Sequence, residues 1–138
     1  MKSWLKVSSK SDFSIYNLPF GIFSTNEKNK RIGVAIGDHV IDLHACNSLD
    51  LFKHLNIESH VFKNSFLNNF IELGKEITSK VREILQSELT NDNSLIKHNS
   101  NCIIPIDSVE MHLPVNIGDY TDFYSRIEHA SNIGSMFR

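Results

Sequence analysis

The chain has 138 residues, of which 41% are hydrophobic and 22% charged, and its formal net charge is −2. This length and composition are typical of one globular domain with one core, and they exclude a fibrous or disordered chain. The charge balance gives no basic field for nucleic acid, and no apolar run approaches the roughly 18 residues of a membrane span. We therefore expect a cytoplasmic protein that binds neither nucleic acid nor membrane.

Short strands and tight turns are indicated in the first third of the chain. Alternating apolar residues predict strands at residues 4–7 and 21–24. The apolar, β-branched runs 31–36 and 39–43 are joined by Gly37 and Asp38, a pair typical of a hairpin turn. This hairpin is the strongest prediction of local structure in the N-terminal part.

Helical periodicity follows in the middle of the chain. Ile77, Val81 and Leu85 belong to one apolar stripe over residues 75–89, which predicts an amphipathic helix. A shorter helix is expected before it, and Gly74, between the two helices, is expected to form the left-handed C-terminal cap of the shorter one. We therefore place helices around residues 64–89.

A strand is expected again at residues 102–106, where Pro105 restricts it to an edge or an end of a sheet. Strands first and helices later, without β-α-β alternation, predict an α+β domain or a small, partly open β-barrel with appended helices. The glycine motifs of phosphate-binding loops and of the hydrolase nucleophile elbow are absent from the sequence.

The last 27 residues hold the densest group of chemically capable side chains. Ser125 and Glu128 have capping-box spacing, which predicts a helix from about residue 126 to 134 with His129 on its first turn. Asp122 can ligate a hard cation and His129 can act as a general base. Tyr124 can share a cleft with them, and Arg138 can grip a carboxylate. The alternative is structural, with aspartates in turns, a packed tyrosine and a solvated histidine.

The remaining histidines and the two cysteines give weaker signals. No histidine pair has the spacing of a metal site, so we expect surface or capping roles for His39, His44, His54, His60, His98 and His112. Cys46 and Cys102 are too few for a disulfide framework, and we interpret them as small buried or half-buried residues.

Several collinear blocks of the sequence resemble the fumarylacetoacetase family. The resemblance is most specific near the C-terminus, and its blocks are residues 11–24, 31–38, 64–66, 73–74, 111–125, 129–132 and 134–138. It implies an SH3-like β-barrel domain at residues 1–112, with the helices around 64–89 as an insert. Residues 113–138 would then open a β-rich catalytic domain.

The resemblance also implies a chemistry. Enzymes of this family hydrolyse the carbon–carbon bond of 4-fumarylacetoacetate to fumarate and acetoacetate in tyrosine and phenylalanine catabolism, with Ca²⁺ or Mg²⁺ on the diketone oxygens. By position, Asp122 matches a metal ligand and His129 the base that activates water. Tyr124 and Arg138 match residues that contact the substrate. Full-length members form homodimers.

The chain is shorter than members of this family. Asp122 alone does not hold a hard cation that normally takes about six or more oxygens, so we expect the chain by itself to be inactive. It would be an N-terminal fragment, or one piece of an enzyme completed by a complementary C-terminal chain. A stand-alone protein-interaction module built on the barrel is the alternative, and a small metal enzyme complete in 138 residues is a third. We also expect the apolar residues beyond about 115 to lack packing partners within this chain.

Overall fold

The computed structural model describes residues 1–119, 121–123 and 125–136 as a mixed α and β structure. The strands and α-helices are, in chain order, β1 Phe20–Ser24, β2 Arg31–Ile36, β3 His39–Asp42, α1 Leu43–Ser48, α2 Asn68–Glu72, α3 Lys75–Thr90, β4 Ile103–Pro105, β5 Glu110–His112 and α4 Ile127–Met136. Short 3₁₀ turns occur at Lys53–Leu55, Ser59–Val61, Ser100–Cys102 and Ile106–Ser108. Within these ranges, no helix is long and apolar enough to cross a bilayer.

The five strands form one antiparallel sheet in the order β4-β3-β2-β1-β5. The predicted hairpin is confirmed, since β2 pairs with β3 from Ile36↔His39 to Gly33↔Asp42 and Gly37 has a φ of 54°. The edge position predicted for Pro105 is confirmed as well, because β4 is an outer strand. The α+β class is therefore correct, and the sheet is open rather than a closed barrel.

The sheet is nevertheless curled, as the connection between its two edges requires. Only residues 106–109 join β4 at one edge to β5 at the other. In a flat sheet those edges would be about 19 Å apart, whereas five extended residue steps span about 17 Å. A 3₁₀ turn over Ile106–Ser108 shortens this reach further. Consequently the two edges bend towards each other.

One face of the sheet carries the main hydrophobic core. Ile22, Ile32, Val34 and Ile41 are fully buried there, and they belong to one cluster with residues of the helices. The helical stripe predicted by periodicity supplies Val81, Leu85 and Leu89 of α3, all with no exposed surface. Burying this stripe holds α3 against the sheet.

The other face of the sheet encloses a smaller apolar region. Buried Phe23 and Val40 lie there on either side of Gly33, and an apolar cavity of about 220 Å³ opens beside them. A Cβ atom on Gly33 would lie 2.6 Å from Cδ1 of Phe23 and 2.7 Å from Cγ1 of Val40. Glycine is therefore required at this position by close packing.

One local prediction is wrong. Residues 4–7 form no strand; instead the Trp4 backbone N–H donates to the Leu89 carbonyl at 3.0 Å, and its indole N–H donates to the Glu88 carbonyl at 2.8 Å. The end of α3 thus holds this segment.

The two helices predicted around residues 64–89 are confirmed. They are α2 and α3, and Gly74 between them has the expected positive φ, of 90°. The first of them begins at Asn68, because the Asn64 side chain accepts a hydrogen bond from the Phe66 N–H in a local turn.

A buried carboxylate joins the sheet to the segments around it. Asp42 has no exposed surface, and its Oδ1 accepts a hydrogen bond from the Ala45 N–H at 3.1 Å, which caps α1. Its Oδ2 lies 2.7 Å from Lys28 Nζ and 3.4 Å from Arg31 Nη1. Lys28 Nζ also donates to the Asn101 carbonyl at 2.8 Å. We call Asp42, Lys28 and Arg31 the Asp42 cluster.

We expect Gly33→Ala to destabilise the fold by about 2 kcal/mol, since the added methyl group overpacks Phe23 and Val40. Urea denaturation measures this change. The control is Gly118→Ala, where the new Cβ meets nothing within 4 Å and the effect should stay within about 0.5 kcal/mol. Equal effects of the two substitutions would contradict the close packing at Gly33.

We expect Asp42→Ala to cost about 3–5 kcal/mol, because it removes the α1 cap and leaves two mostly buried cations without their carboxylate. Thermal and urea unfolding report the loss. Glu76→Ala is the matched control, since it removes only the exposed Glu76–Lys80 pair. A loss for Asp42→Ala no larger than the control would show that the cluster contributes nothing to stability.

Candidate functional site

The segment that carries the predicted site leaves the sheet through β5. Strand β5 pairs with β1, with His112 opposite Ile22 and Met111 opposite Phe23. The Ser24 hydroxyl and His112 Nε2 are 2.7 Å apart and add a side-chain hydrogen bond between the two strands. His112 therefore has a structural role that its sequence neighbours did not indicate, because the contact joins residues 88 positions apart.

Beyond β5, helix α2 holds the chain at residues 114–116. The Leu67 N–H donates to the Pro114 carbonyl at 2.7 Å. The Asn68 side chain donates to the Asn116 carbonyl and accepts from the Asn116 N–H, both at 2.9 Å. Val115 packs against the main core. These contacts extend the body to residue 116, close to the limit of about 115 that we expected, and the Asn68 side chain sets the direction in which the next residues leave it.

Asp122 and His129 both lie in the segment that follows. Helix α4 begins at Ile127, one residue later than the capping box predicted, and His129 lies on its first turn as expected. Asp122 precedes the helix, and both side chains are exposed. Tyr124 and Arg138, the predicted substrate contacts, lie outside the described residues.

Several large apolar side chains of this segment are exposed. Phe123 is 80% exposed, Ile127 78% and Met136 75%, and α4 contains no buried residue. This confirms the expectation that these side chains have no core to pack against in this chain. Exposed apolar side chains clustered along one segment indicate a surface that another structure covers.

The described residues bring no complete set of metal ligands to Asp122. In the parts of the chain that the structure describes, no three His, Cys, Asp or Glu side chains are grouped so as to hold a metal ion. Asp122 supplies one carboxylate, whereas Ca²⁺ takes about six to eight oxygen ligands.

The titratable groups with shifted pKa values lie in the N-terminal body. Partial burial, followed by the charge of Arg31, lowers the pKa of His44, although Asp42 acts in the opposite direction. His44 Nδ1 is buried without a hydrogen-bond partner among the described atoms, which differs from the surface role expected for it. His44 therefore belongs to the surroundings of the Asp42 cluster.

Three pockets of the N-terminal body offer concave surfaces, and none has a lining residue from the segment with Asp122 and His129. One is the apolar cavity beside Phe23, and another is a groove between β1 and helices α2 and α3 that includes Phe20, Ile71 and Arg82. The third is polar, with Lys28, Ser100 and Asn101 among its lining residues. Asp122 and His129 thus line none of these three pockets.

The fold is that of a mixed α and β domain, and it is followed by the exposed segment that carries Asp122 and His129. A family model described as "Fumarylacetoacetase N-terminal" matches residues 16–114, and the chain belongs to that family. The match ends close to the predicted domain boundary at residue 112.

Curated relatives named fumarylacetoacetase align with the whole chain or nearly all of it. The protein of Dictyostelium discoideum is 46% identical over 143 aligned residues and that of Caenorhabditis elegans 42%, each covering 100% of this chain and 34% of the relative. The Mus musculus protein is 43% identical over 99% of this chain and 34% of its own length. The chain therefore spans about a third of the length of these relatives.

We expect Asn68→Ala to speed hydrogen exchange at the Asn116 amide by about fivefold, since that amide loses its side-chain acceptor and thereby a hydrogen bond worth about 1 kcal/mol. NMR-detected exchange measures the rate. Asn69→Ala, at the neighbouring position without such a contact, is the control and should leave the rate unchanged. Equal exchange rates in the two variants would contradict the anchoring role of Asn68.

Proposed function

We propose that this chain is the N-terminal portion of a fumarylacetoacetase. The enzyme would hydrolyse a carbon–carbon bond of 4-fumarylacetoacetate, giving fumarate and acetoacetate in tyrosine and phenylalanine catabolism. The observation that carries the proposal is the alignment with relatives of that name, which covers 100% of this chain. It therefore includes Asp122 and His129 as well as the residues matched by the family model.

His129 is the proposed general base. Its imidazole can take a proton from the attacking water near neutral pH and pass it on to the departing fragment. The position of His129 on the first turn of α4 and its exposure leave the ring accessible to groups from a covering structure. Tyr124 and Arg138 are proposed to contact the substrate, whose carboxylates match a phenol and a guanidinium in charge and hydrogen bonding.

Asp122 is proposed to provide one carboxylate to a Ca²⁺ or Mg²⁺ site. Such a cation would polarise the carbonyl group under attack. Because the described residues of this chain do not complete the ligand set, the remaining ligands are assigned to the rest of the enzyme. The chain alone is accordingly expected to be inactive.

The proposed domain architecture also divides the chain into two parts. The curled, open sheet with its helices would be the small SH3-like barrel domain of residues 1–112, and residues 113–138 would open the catalytic domain. The short connection between the two sheet edges supports a barrel-like curvature. We propose a cytoplasmic homodimer for the complete enzyme, or assembly with a complementary C-terminal chain, and the exposed side chains around α4 support such a covering partner.

A chimera tests this function. The aligned third of the Dictyostelium discoideum relative is replaced by this chain, and turnover of 4-fumarylacetoacetate is followed by its loss of ultraviolet absorbance. We expect the chimera to be active, with kcat reduced about 10²–10⁴-fold by His129→Gln. His98→Gln, an exposed histidine of the body, is the control and should leave kcat unchanged.

The outcomes of this chimera experiment distinguish the proposed function from its alternatives. An inactive chimera that folds and assembles like the relative would contradict the proposed function and favour an interaction module. Full activity of the His129→Gln chimera would remove His129 from the role of base. Turnover by the 138-residue chain alone would overturn the assignment of further ligands to the rest of the enzyme.

A further inference from the structure

Two free cysteines that the proposed chemistry does not use meet in the core. Cys46 lies in α1 and Cys102 ends the 3₁₀ turn Ser100–Cys102, and their side chains are 0% and 1% exposed. The side chains of the two cysteines interact with each other, and both belong to the main core cluster. The two residues are therefore neighbours in the fold, although they are far apart in the sequence.

The fold holds the two segments together independently of the thiols. Asp42 caps α1, and its Oδ2 accepts from Lys28 Nζ at 2.7 Å. The same ammonium group donates at 2.8 Å to the carbonyl of Asn101, the residue before Cys102. One lysine thus joins the start of the helix that carries Cys46 to the turn that carries Cys102. The contact between the thiols is consequently a fixed feature of the packing.

The surroundings make the two thiols unequal. The hydrogen bond from Cys46 lowers the pKa of the Cys102 thiol, and the charge of Lys28 adds to this, although burial and Asp42 oppose it. The hydrogen bond to Cys102 and burial raise the pKa of the Cys46 thiol. A thiolate therefore forms more readily on Cys102, and the thiolate is the form that attacks a disulfide.

We propose that Cys46 and Cys102 are an oxidative modification site, which closes to an intrachain disulfide on reaction with a low-molecular-weight disulfide. The Cys102 thiolate attacks one sulfur of the oxidant, forms a mixed disulfide and releases one thiolate. Cys46 then loses its proton and attacks the Cys102 sulfur, which releases the second. Two protein thiols are oxidised, and one small disulfide is reduced to two thiols.

The polar pocket beside the turn gives the route of approach. Ser100, Asn101 and Ile104, on both sides of Cys102, line this pocket together with Lys28. Because Cys102 is almost fully buried, the turn has to open before an oxidant reaches its sulfur. We therefore expect oxidation to be slower than that of an exposed thiol and to accelerate at low, non-denaturing concentrations of urea.

The test exposes the reduced 138-residue chain to excess oxidised glutathione, followed by alkylation, intact-mass measurement and peptide mapping. The expected product is a monomer lighter by two hydrogen atoms, with one Cys46–Cys102 bridge. Its Tm should exceed that of the reduced chain, because the bridge closes a loop of about 55 residues. Reduction should bring the Tm back to the value of the reduced chain. Stable glutathione adducts on both cysteines, disulfide-linked dimers or two unreacted thiols would each overturn the proposal.

Single variants test the order of the steps. In Cys46→Ser, one glutathione adduct should accumulate on Cys102, since no second thiol resolves it. In Cys102→Ser, the adduct on Cys46 should form at least about tenfold more slowly than the adduct on Cys102 forms in Cys46→Ser. Equal rates would overturn the assignment of Cys102 as the attacking thiol. The intact mass and the peptide map of the chain without substitutions show whether the bridge forms, whether or not either variant folds.

Discussion

The rest of the structure depends on the buried carboxylate of Asp42. A charge without water contact is costly unless cations and hydrogen bonds compensate it, and here Lys28, Arg31 and the Ala45 N–H do so. These partners come from the turn after β1, the start of β2 and the first turn of α1. Lys28 extends the connection to the turn of Cys102. Because any other arrangement would leave a charge buried and unpaired, the cluster selects one register of sheet, helix and turn.

That register determines where the predicted catalytic segment leaves the body. With β1 and β2 fixed, β5 adds to β1, and the Ser24–His112 contact reinforces this edge. The Asn68 side chain then holds the backbone of Asn116. The body thus positions the origin of the segment with Asp122 and His129, neither of which lines the three pockets described above. The proposed contribution of the body to catalysis is to position this segment.

The sequence predicted the parts of the fold that local patterns determine. The hairpin around Gly37 and the stripe of α3 follow from periodicities of two and 3.6 residues, and both were correct. The predicted strand at residues 4–7 was wrong because Trp4 takes its partner from the distant end of α3. The Asp42 cluster and the thiol contact join residues that no local pattern connects. For the site, spacing left Asp122 and His129 open to a structural role, and only the family resemblance assigned them a function.

The exposure of α4 connects the stability of the proposed site to its activity. An isolated helix of ten residues is marginal in water, and α4 gains little stability from burial, since none of its residues is fully buried. Ile127 and Met136 are exposed on this helix, so a covering surface that buries them would stabilise it at the same time. His129 occupies the first turn of that helix. A structure that packs against α4 would therefore also act on the orientation of His129, the proposed base.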